Sequence, residues 1–194
     1  MNTTKERPIL FSVPMVRAIL DGRKTQTRRV VKPQPLFVAD PNVPFKTASC
    51  DPKGIINCPY GKPCDRLWVR ETFAIIDDES GYGSAYIEYK ASCDKPERII
   101  WKPSIHMPRW ASRILLEVTN VRVDKLRDIS EEDAMAEGYI STAIVNDAGD
   151  DYTGEYAAEA FRTLWKSPIN GQGSWDLNPW VWVVEFKVLE INEK

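Results

Sequence analysis

The stretch RILLEVTNVRVDKLRDISEEDAMAEG, residues 113–138, contains a predicted strand followed by a short helix. Residues 113–126 are rich in β-branched side chains, which favour a long β-strand. Ser130 is a favourable N-cap, and the acidic residues 131–133 suit the positive end of a helix dipole. Gly138 predicts the end of this helix. The stretch therefore predicts a strand that leads directly into an acidic helix.

Further strands and helices are predicted on both sides of this stretch. The strand segments are residues 8–12, 66–71, 86–91 and 180–188. In residues 66–71, alternation places Leu67, Val69 and Glu71 on one face and Trp68 and Arg70 on the other. Helices are predicted over 14–21, with Ser12 as N-cap and Gly22 as its stop, and over about 152–166. The second helix is predicted to carry an apolar stripe of Tyr156, Ala160, Phe161 and Leu164.

These elements predict an α+β fold class. Strands and helices do not alternate in a βαβ pattern, so we expect a small β-barrel or a strongly curved sheet with short flanking helices. With 194 residues, 43% of them hydrophobic, the chain is long enough to bury one sizeable core. Residues 31–63 lack periodicity and are predicted to form a long loop.

Charge is distributed unevenly along the chain, although the formal net charge is only −2. Residues 1–32 contain eight Lys and Arg against two acids, whereas residues 124–160 contain eleven acids against two basic residues. This asymmetry predicts a basic working face and a solvated acidic flank.

The compartment of the protein and its metal content are inferred from the membrane, secretion and zinc-site signals that the sequence lacks. No stretch approaches the roughly 20 apolar residues of a membrane span, and the first residues lack the apolar core of a signal peptide. We therefore expect a cytoplasmic protein with no membrane contact. The cysteines are Cys50, Cys58, Cys64 and Cys93, and their spacings do not match a usual zinc site. Reduced, partly buried thiols are expected, with structural zinc as the alternative, and no metal or cofactor is predicted.

The segment GRKTQTRR, residues 22–29, is the strongest functional signal. A lysine whose pKa is lowered by burial can remove a proton from a threonine hydroxyl, which pairs Lys24 as base with Thr27 as nucleophile. Residues three apart on a regular strand point to opposite faces, so a shared site requires the backbone to depart from a strand. The alternative is a basic loop that contacts phosphate without catalysis.

Three parts of the sequence resemble the ASCH domain, a relative of the PUA fold. These are GRKTQTRR, the passage VTNVRVDKLRDISEEDAMAEGY and the closing VWVVEFK. Gly22, Lys24, Thr27 and Arg29 match the family's Gly-x-Lys-x-x-Thr/Glu-x-Arg signature. The segments CPYGKPCDRLWVRE and KPSIHMPRWASRILLEV are similar to a longer ASCH subfamily of phages and prophages. Cys64 departs from that pattern, which has glycine before Asp65, and we expect this to affect only a turn.

The resemblance implies a function as well as a fold. The small bacterial members that this chain resembles are N4-acetylcytidine amidohydrolases, and their catalytic lysine, threonine and glutamate fall on Lys24, Thr27 and Glu137. The chain is then one ASCH domain over residues 1–194, with insertions around 32–63, 74–85 and 139–178. If Lys24 and Glu137 share a site, their side chains must lie within about 8 Å of each other.

Other residues are predicted to bind the substrate, a modified nucleoside or RNA. Arg23, Arg28 and Arg29 are expected to contact phosphates. Trp68 and Trp110 are expected to stack on bases, and Glu71 to line the pocket. His106, Arg109 and Arg113 are expected near its mouth. The alternatives to the amidohydrolase are a non-catalytic RNA- or nucleotide-binding module and a metal-independent ribonuclease, and no obligate protein partner is expected.

Overall fold

The computed structural model describes residues 4–34, 57–77, 85–140, 144–145, 151–152, 157–166 and 175–192, which form an α+β fold as predicted. The strands are β1 (Glu6–Leu10), β2 (Gln26–Val30), β3 (Arg66–Arg70), β4 (Phe73–Asp77), β5 (Ala85–Tyr89), β6 (Ile114–Lys125), β7 (Ile144–Val145), β8 (Asp151–Tyr152) and β9 (Trp180–Ile191). The helices are α1 (Val13–Leu20), α2 (Glu131–Ala136) and α3 (Ala157–Lys166). Short 3-10 turns span Pro96–Arg98, Ser104–His106 and Arg109–Ala111.

The main sheet has five strands in the order β1-β3-β6-β9-β2. It is a mixed sheet, because β1 pairs with β3 in parallel, whereas β3 pairs with β6 and β2 with β9 in antiparallel directions. Two further pairs, β4-β5 and β7-β8, are separate hairpin-like ribbons. The predicted barrel is wrong for the described part of the chain, because the sheet is open and ends at β1 and β2. Its strands nevertheless cover most of the segments that the sequence pattern predicts.

Pro8 accounts for the end of the sheet at β1. The backbone N–H of Phe11 donates to the carbonyl of Arg70, so odd-numbered residues here direct their nitrogens toward β3. Strand alternation then turns the nitrogen of Pro8 toward the open edge, where it has no N–H to donate. A proline at this position discourages a further strand and therefore opposes closure of the sheet.

The chain divides into two compact units. The first contains residues 1–22, 60–119 and 186–194, and the second contains residues 23–59 and 120–185. Each of the long strands β6 and β9 contributes residues to both units. The insertion predicted at 32–63 lies largely outside the described residues, and those predicted at 74–85 and 139–178 lie partly outside them.

In the first unit, α1 and a turn at residues 61–65 match the sequence signals. Gly22 has a φ of 73°, the left-handed conformation expected after a helix, although the Ser12 side chain makes no capping hydrogen bond. Cys64 also has a left-handed φ of 72°, a conformation that favours glycine. The departure from the ASCH pattern at this position therefore does fall in a turn.

In the second unit, α3 packs its apolar stripe into a core that includes Val181 and Val183 of β9. The buried residues of the helix are Ala157, Phe161 and Trp165. The predicted stripe is therefore wrong by part of a helical turn, because Ala160 and Leu164 are only half-buried and Trp165 takes the inward position. Tyr156 lies outside the described residues.

The cap of α2 is confirmed, and one of its acids caps α3. Ser130 accepts a hydrogen bond from the backbone N–H of Asp133 at 3.1 Å. The Glu131 carboxylate accepts from the backbone N–H groups of Ala157 and Ala158, at 2.6 and 3.1 Å. These are the first residues of α3, whose N–H groups have no partner within the helix.

Replacing Glu131 by alanine should lower the free energy of unfolding by about 1 kcal/mol, the usual cost of removing a helix cap. The matched control is Glu132→Ala, which removes an exposed neighbouring acid of the same helix. Urea unfolding measures both. An equal effect of the two substitutions would contradict the capping role of Glu131.

Membrane and metal features complete the description. None of the described helices is long and apolar enough to cross a bilayer. Among the described residues, no three His, Cys, Asp or Glu side chains form a group that could hold a metal ion. Cys58, Cys64 and Cys93 form no disulfide among the described residues, and Cys64 is exposed rather than partly buried as expected. Cys50 lies outside the described residues.

Candidate functional site

Backbone contacts hold the start of β2 against the end of α2 within the second unit. Lys24 forms an isolated antiparallel bridge with Glu137, and the Thr25 N–H donates to the Ala136 carbonyl at 2.8 Å. Glu137 occupies the C-cap of α2, directly before Gly138, whose φ is 98°. The two predicted site residues, more than a hundred positions apart in sequence, are therefore fixed side by side.

The Lys24 ammonium is surrounded by oxygen acceptors. Its Nζ donates to Glu137 Oε2 at 2.6 Å, to the Glu137 carbonyl at 2.9 Å and to the Gln26 carbonyl at 2.7 Å. The side chains of Lys24 and Glu137 are 0% and 4% exposed. The geometric requirement for a shared site is met, because the two side chains are in direct contact.

The second carboxylate oxygen of Glu137 accepts no hydrogen bond from the described residues. Glu137 Oε1 is buried and has no hydrogen-bond partner among the described residues, and Arg28 Nη1 lies 3.8 Å from it. A buried acceptor without a donor is costly, unless a ligand supplies the missing donor. This oxygen can therefore accept a hydrogen bond from a bound N–H or O–H group.

Burial controls the protonation of Lys24. Burial lowers the pKa of its amine from 10.5, because the charged form is poorly solvated, and the neighbouring Arg28 and Arg29 act in the same direction. The Glu137 carboxylate opposes this effect, but the pKa remains lowered. A lysine of this kind is suited to accept a proton.

Thr27 lies within β2, where it pairs with Val184 of β9, and it is 1% exposed. Because strand side chains alternate, Thr27 and Arg29 point to one face of β2 and Arg28 to the other. Regular β2 begins at Gln26, and Lys24 lies before it in an isolated bridge with Glu137. Arg28, on the face opposite Thr27, also approaches Glu137, so the described contacts bring Lys24 and Glu137 together but do not include Thr27.

Arg28 forms a charged network with the acidic helix. Its Nη2 donates to Asp133 Oδ2 at 2.6 Å, and Arg122 Nη2 reaches the same carboxylate at 2.9 Å. Burial alone would raise the pKa of Asp133, but the two guanidinium groups outweigh it and hold that pKa below its ordinary value. The predicted solvated acidic flank is therefore wrong for Asp133 and Glu137, which neutralise buried cations.

The three arginines predicted to contact phosphate occupy different environments. Arg23 is exposed and donates to the Gly138 carbonyl at 2.7 Å, while Arg29 is half-buried. Arg28 is buried, with its guanidinium engaged by Asp133, so it does not form part of an exposed basic face.

A second buried ion pair lies within the first unit. Arg113 Nε and Nη2 bind the two oxygens of Glu71 at 2.9 and 3.0 Å, and Nη2 also donates to Ser92 Oγ at 2.9 Å. The Arg113 guanidinium lies 4.1 Å from the centre of the Tyr89 ring. Burial raises the pKa of Tyr89 to about 12, against the opposing charge of Arg113.

Glu71 and Arg113 are therefore partners of each other. Burial raises the pKa of Glu71, while the hydrogen bonds and charge of Arg113 oppose the rise. Their bidentate contact satisfies both carboxylate oxygens and uses the planar geometry of the guanidinium. The pair links the end of β3 to the start of β6.

The remaining predicted residues lie at or near the surface of the first unit. The half-buried Trp68 ring has the guanidinium carbons of Arg70 and Arg109 at 5.5 and 6.0 Å from its centre. Trp110 is 60% exposed, and His106 is exposed in a 3-10 turn. Arg109 also forms an ion pair with Glu6 at 3.0 Å.

Asp133 and Arg122 are parts of the charged network that the sequence interpretation missed. Asp133 and Glu137 are four residues apart, which places both carboxylates on one face of α2. That spacing, opposite a basic segment, is the signal that could have found Asp133. Arg122 gives no comparable signal in the sequence, because its contact with Asp133 depends on the packing of β6 near α2.

Comparison with known proteins leaves the family of this chain open. No family model and no curated protein matches the chain. A solved structure that does match is protein EF3133 from Enterococcus faecalis V583, of the family model DUF984. It shares 10% sequence identity, with a TM-score of 0.47, and the match covers 100% of this chain and 86% of that chain. At this similarity the match carries no argument about activity.

Proposed function

We propose that this protein is an ASCH-type amidohydrolase that removes an acyl group from the exocyclic amine of a modified cytidine such as N4-acetylcytidine. The observation that carries the proposal is the buried Lys24–Glu137 contact at 2.6 Å, next to a Glu137 oxygen that accepts no hydrogen bond from the described residues. A buried lysine with a lowered pKa supplies a base, and the free oxygen supplies an acceptor for a substrate N–H.

In the first half-reaction, Thr27 Oγ attacks the acyl carbon while Lys24 Nζ takes the hydroxyl proton. Glu137 Oε1 accepts a hydrogen bond from the substrate amide N–H and thereby orients it. The tetrahedral intermediate collapses when the bond between the acyl carbon and N4 breaks and N4 receives the proton held by Lys24. Cytidine leaves, and the acyl group remains as an ester on Thr27.

In the second half-reaction, water attacks the ester carbon and Lys24 accepts its proton. The ester bond to Thr27 Oγ breaks, the threonine regains a proton from Lys24, and acetate leaves. Lys24 is the base in both halves and returns each proton that it accepts. The cycle therefore consumes one water and needs no other co-reactant.

The test is incubation of the purified protein with N4-acetylcytidine, with chromatographic measurement of cytidine and acetate. The proposal predicts that the two products form in equal amounts. An unrelated single-stranded RNA in the same reaction reports ribonuclease activity through its length. Absence of cytidine together with shortening of the RNA would replace the amidohydrolase by the ribonuclease alternative.

The rate of hydrolysis should depend on pH through Lys24. Because the neutral amine is the base, kcat/KM should rise as the pH increases through the pKa of Lys24. Burial lowers that pKa, so the rise should be centred below 10.5. A pH–rate profile measures this, and a rise centred at or above 10.5 would contradict a buried lysine base.

A second candidate function is binding of single-stranded RNA by the surface around Trp68. The aromatic ring flanked by two guanidinium groups, with Trp110 exposed on a neighbouring 3-10 turn, supports it. Stacking on bases and contact with phosphates would predict an affinity that falls steeply with salt. Fluorescence anisotropy with a labelled oligonucleotide tests this, and an affinity unchanged by Trp68→Leu and Trp110→Leu would reject it.

A further inference from the structure

Tyr139 is an aromatic residue of the second unit, two positions after Glu137, whose charge acts on the Tyr139 hydroxyl. It follows Glu137 after the left-handed Gly138, and its ring packs edge-on against Phe161 at 5.8 Å between centres. The guanidinium carbon of Arg28 lies 6.0 Å from the same Phe161 ring. Phe161 therefore links Tyr139 to the charged residues around Glu137.

The Tyr139 hydroxyl is an unused hydrogen-bond donor. Within the part of the chain that the structure describes, it contacts no hydrogen-bond partner, and the side chain is half-buried. Burial, followed by the charge of Glu137, raises the pKa of Tyr139 to about 12. The phenol consequently keeps its proton at neutral pH and can donate.

Lys24 and Arg28 of the cluster already donate to protein acceptors, although the buried Arg28 Nε has no hydrogen-bond partner among the described residues. Lys24 Nζ donates to the Gln26 carbonyl and to the carbonyl and carboxylate of Glu137, and Arg28 Nη2 donates to the Asp133 carboxylate. Attack on an acyl carbon places negative charge on the carbonyl oxygen, which needs a donor in the transition state. The Tyr139 hydroxyl is a donor without charge, so it does not compete electrostatically with the Lys24–Glu137 pair.

We infer that Tyr139 binds the substrate and donates a hydrogen bond to its acyl carbonyl oxygen. This inference rests on the proposed function, because it concerns the same site. It also specifies the substrate class, since the donor is useful only for a ligand that carries a carbonyl next to the amine recognised by Glu137.

The test compares the wild type with Tyr139→Phe, which removes the hydroxyl and keeps the ring on Phe161. Loss of one such donor lowers kcat by about 10²–10³-fold. We expect KM to rise as well, because the same hydrogen bond holds the carbonyl of the bound substrate. Tyr86→Phe is the matched control, because Tyr86 is exposed on β5 of the first unit. Urea unfolding should give the same midpoint for all three proteins. A Tyr139→Phe protein with the kcat of the wild type would overturn the inference.

Binding measurements separate this inference from the proposed function. Calorimetry with N4-acetylcytidine and with cytidine is run on the wild type and Tyr139→Phe. Tighter binding of the acetylated ligand that is lost in Tyr139→Phe supports the inference, even if the wild type releases no cytidine and the proposed hydrolysis fails. Equal affinities of both proteins for both ligands, or no binding by the wild type, would overturn the inference.

Discussion

Replacement of Lys24 by methionine should lower the free energy of unfolding by about 3–5 kcal/mol, because Glu137 would remain buried without its nearest cation and hydrogen-bond donor. The Lys24 side chain is 0% exposed and provides the only cation within 3 Å of the Glu137 carboxylate among the described ion pairs. Methionine has a similar shape, so the loss measures the charge and its hydrogen bonds rather than a cavity. Urea unfolding followed by circular dichroism gives the value.

A second ion pair provides the control for this prediction. Lys187 contacts Glu117 at 2.8 Å but is 58% exposed, so Lys187→Met should leave the unfolding midpoint unchanged. The double variant Lys24→Met, Glu137→Gln should recover part of the lost stability, because the buried negative charge is also removed. Equal midpoints for Lys24→Met and the wild type would show that the buried pair does not stabilise the fold.

Replacement of Thr27 by valine should reduce the hydrolysis of N4-acetylcytidine by about 10⁴-fold or more, the usual scale for loss of a nucleophile. Valine retains the branched shape that packs in β2 opposite Val184. The fold should therefore persist while the attacking oxygen is absent. Steady-state kinetics with the circular dichroism spectrum as a folding check measures the effect.

Two neighbouring substitutions sharpen the Thr27 test. Thr25→Val removes an exposed hydroxyl two residues away and should leave kcat and KM at the wild-type values. Thr27→Ser restores a hydroxyl and should recover a measurable part of the activity. If Thr27→Val retained the activity of Thr25→Val, Thr27 would not be the nucleophile.

Local patterns predicted much of the secondary structure. The β-branched run that became β6, the Ser130 cap and the Gly22 and Gly138 stops all depend on neighbouring residues, and each is found in the structure. The contact between Lys24 and Glu137 was predicted from the resemblance to the ASCH domain and not from a local sequence pattern, because nothing in the local chemistry of either residue specifies its partner.

Features that depend on distant contacts were not predictable in the same way. The parallel pairing of β1 with β3, the open sheet and the orientation of α3 depend on how separated segments pack together. The Glu71–Arg113 pair shows the same limit. Both residues have the chemistry expected of a binding pocket, but in the structure each satisfies the other.

The most direct test of the account is to locate the acyl group on the protein during turnover. Excess protein is mixed with N4-acetylcytidine, quenched with acid at successive times, digested and analysed by peptide mass spectrometry. The account predicts a transient acetyl group on Thr27 that appears as cytidine is released and is absent from Thr27→Val. Release of cytidine with Thr27 unmodified at every time, or an acetyl group on Lys24 instead, would contradict it.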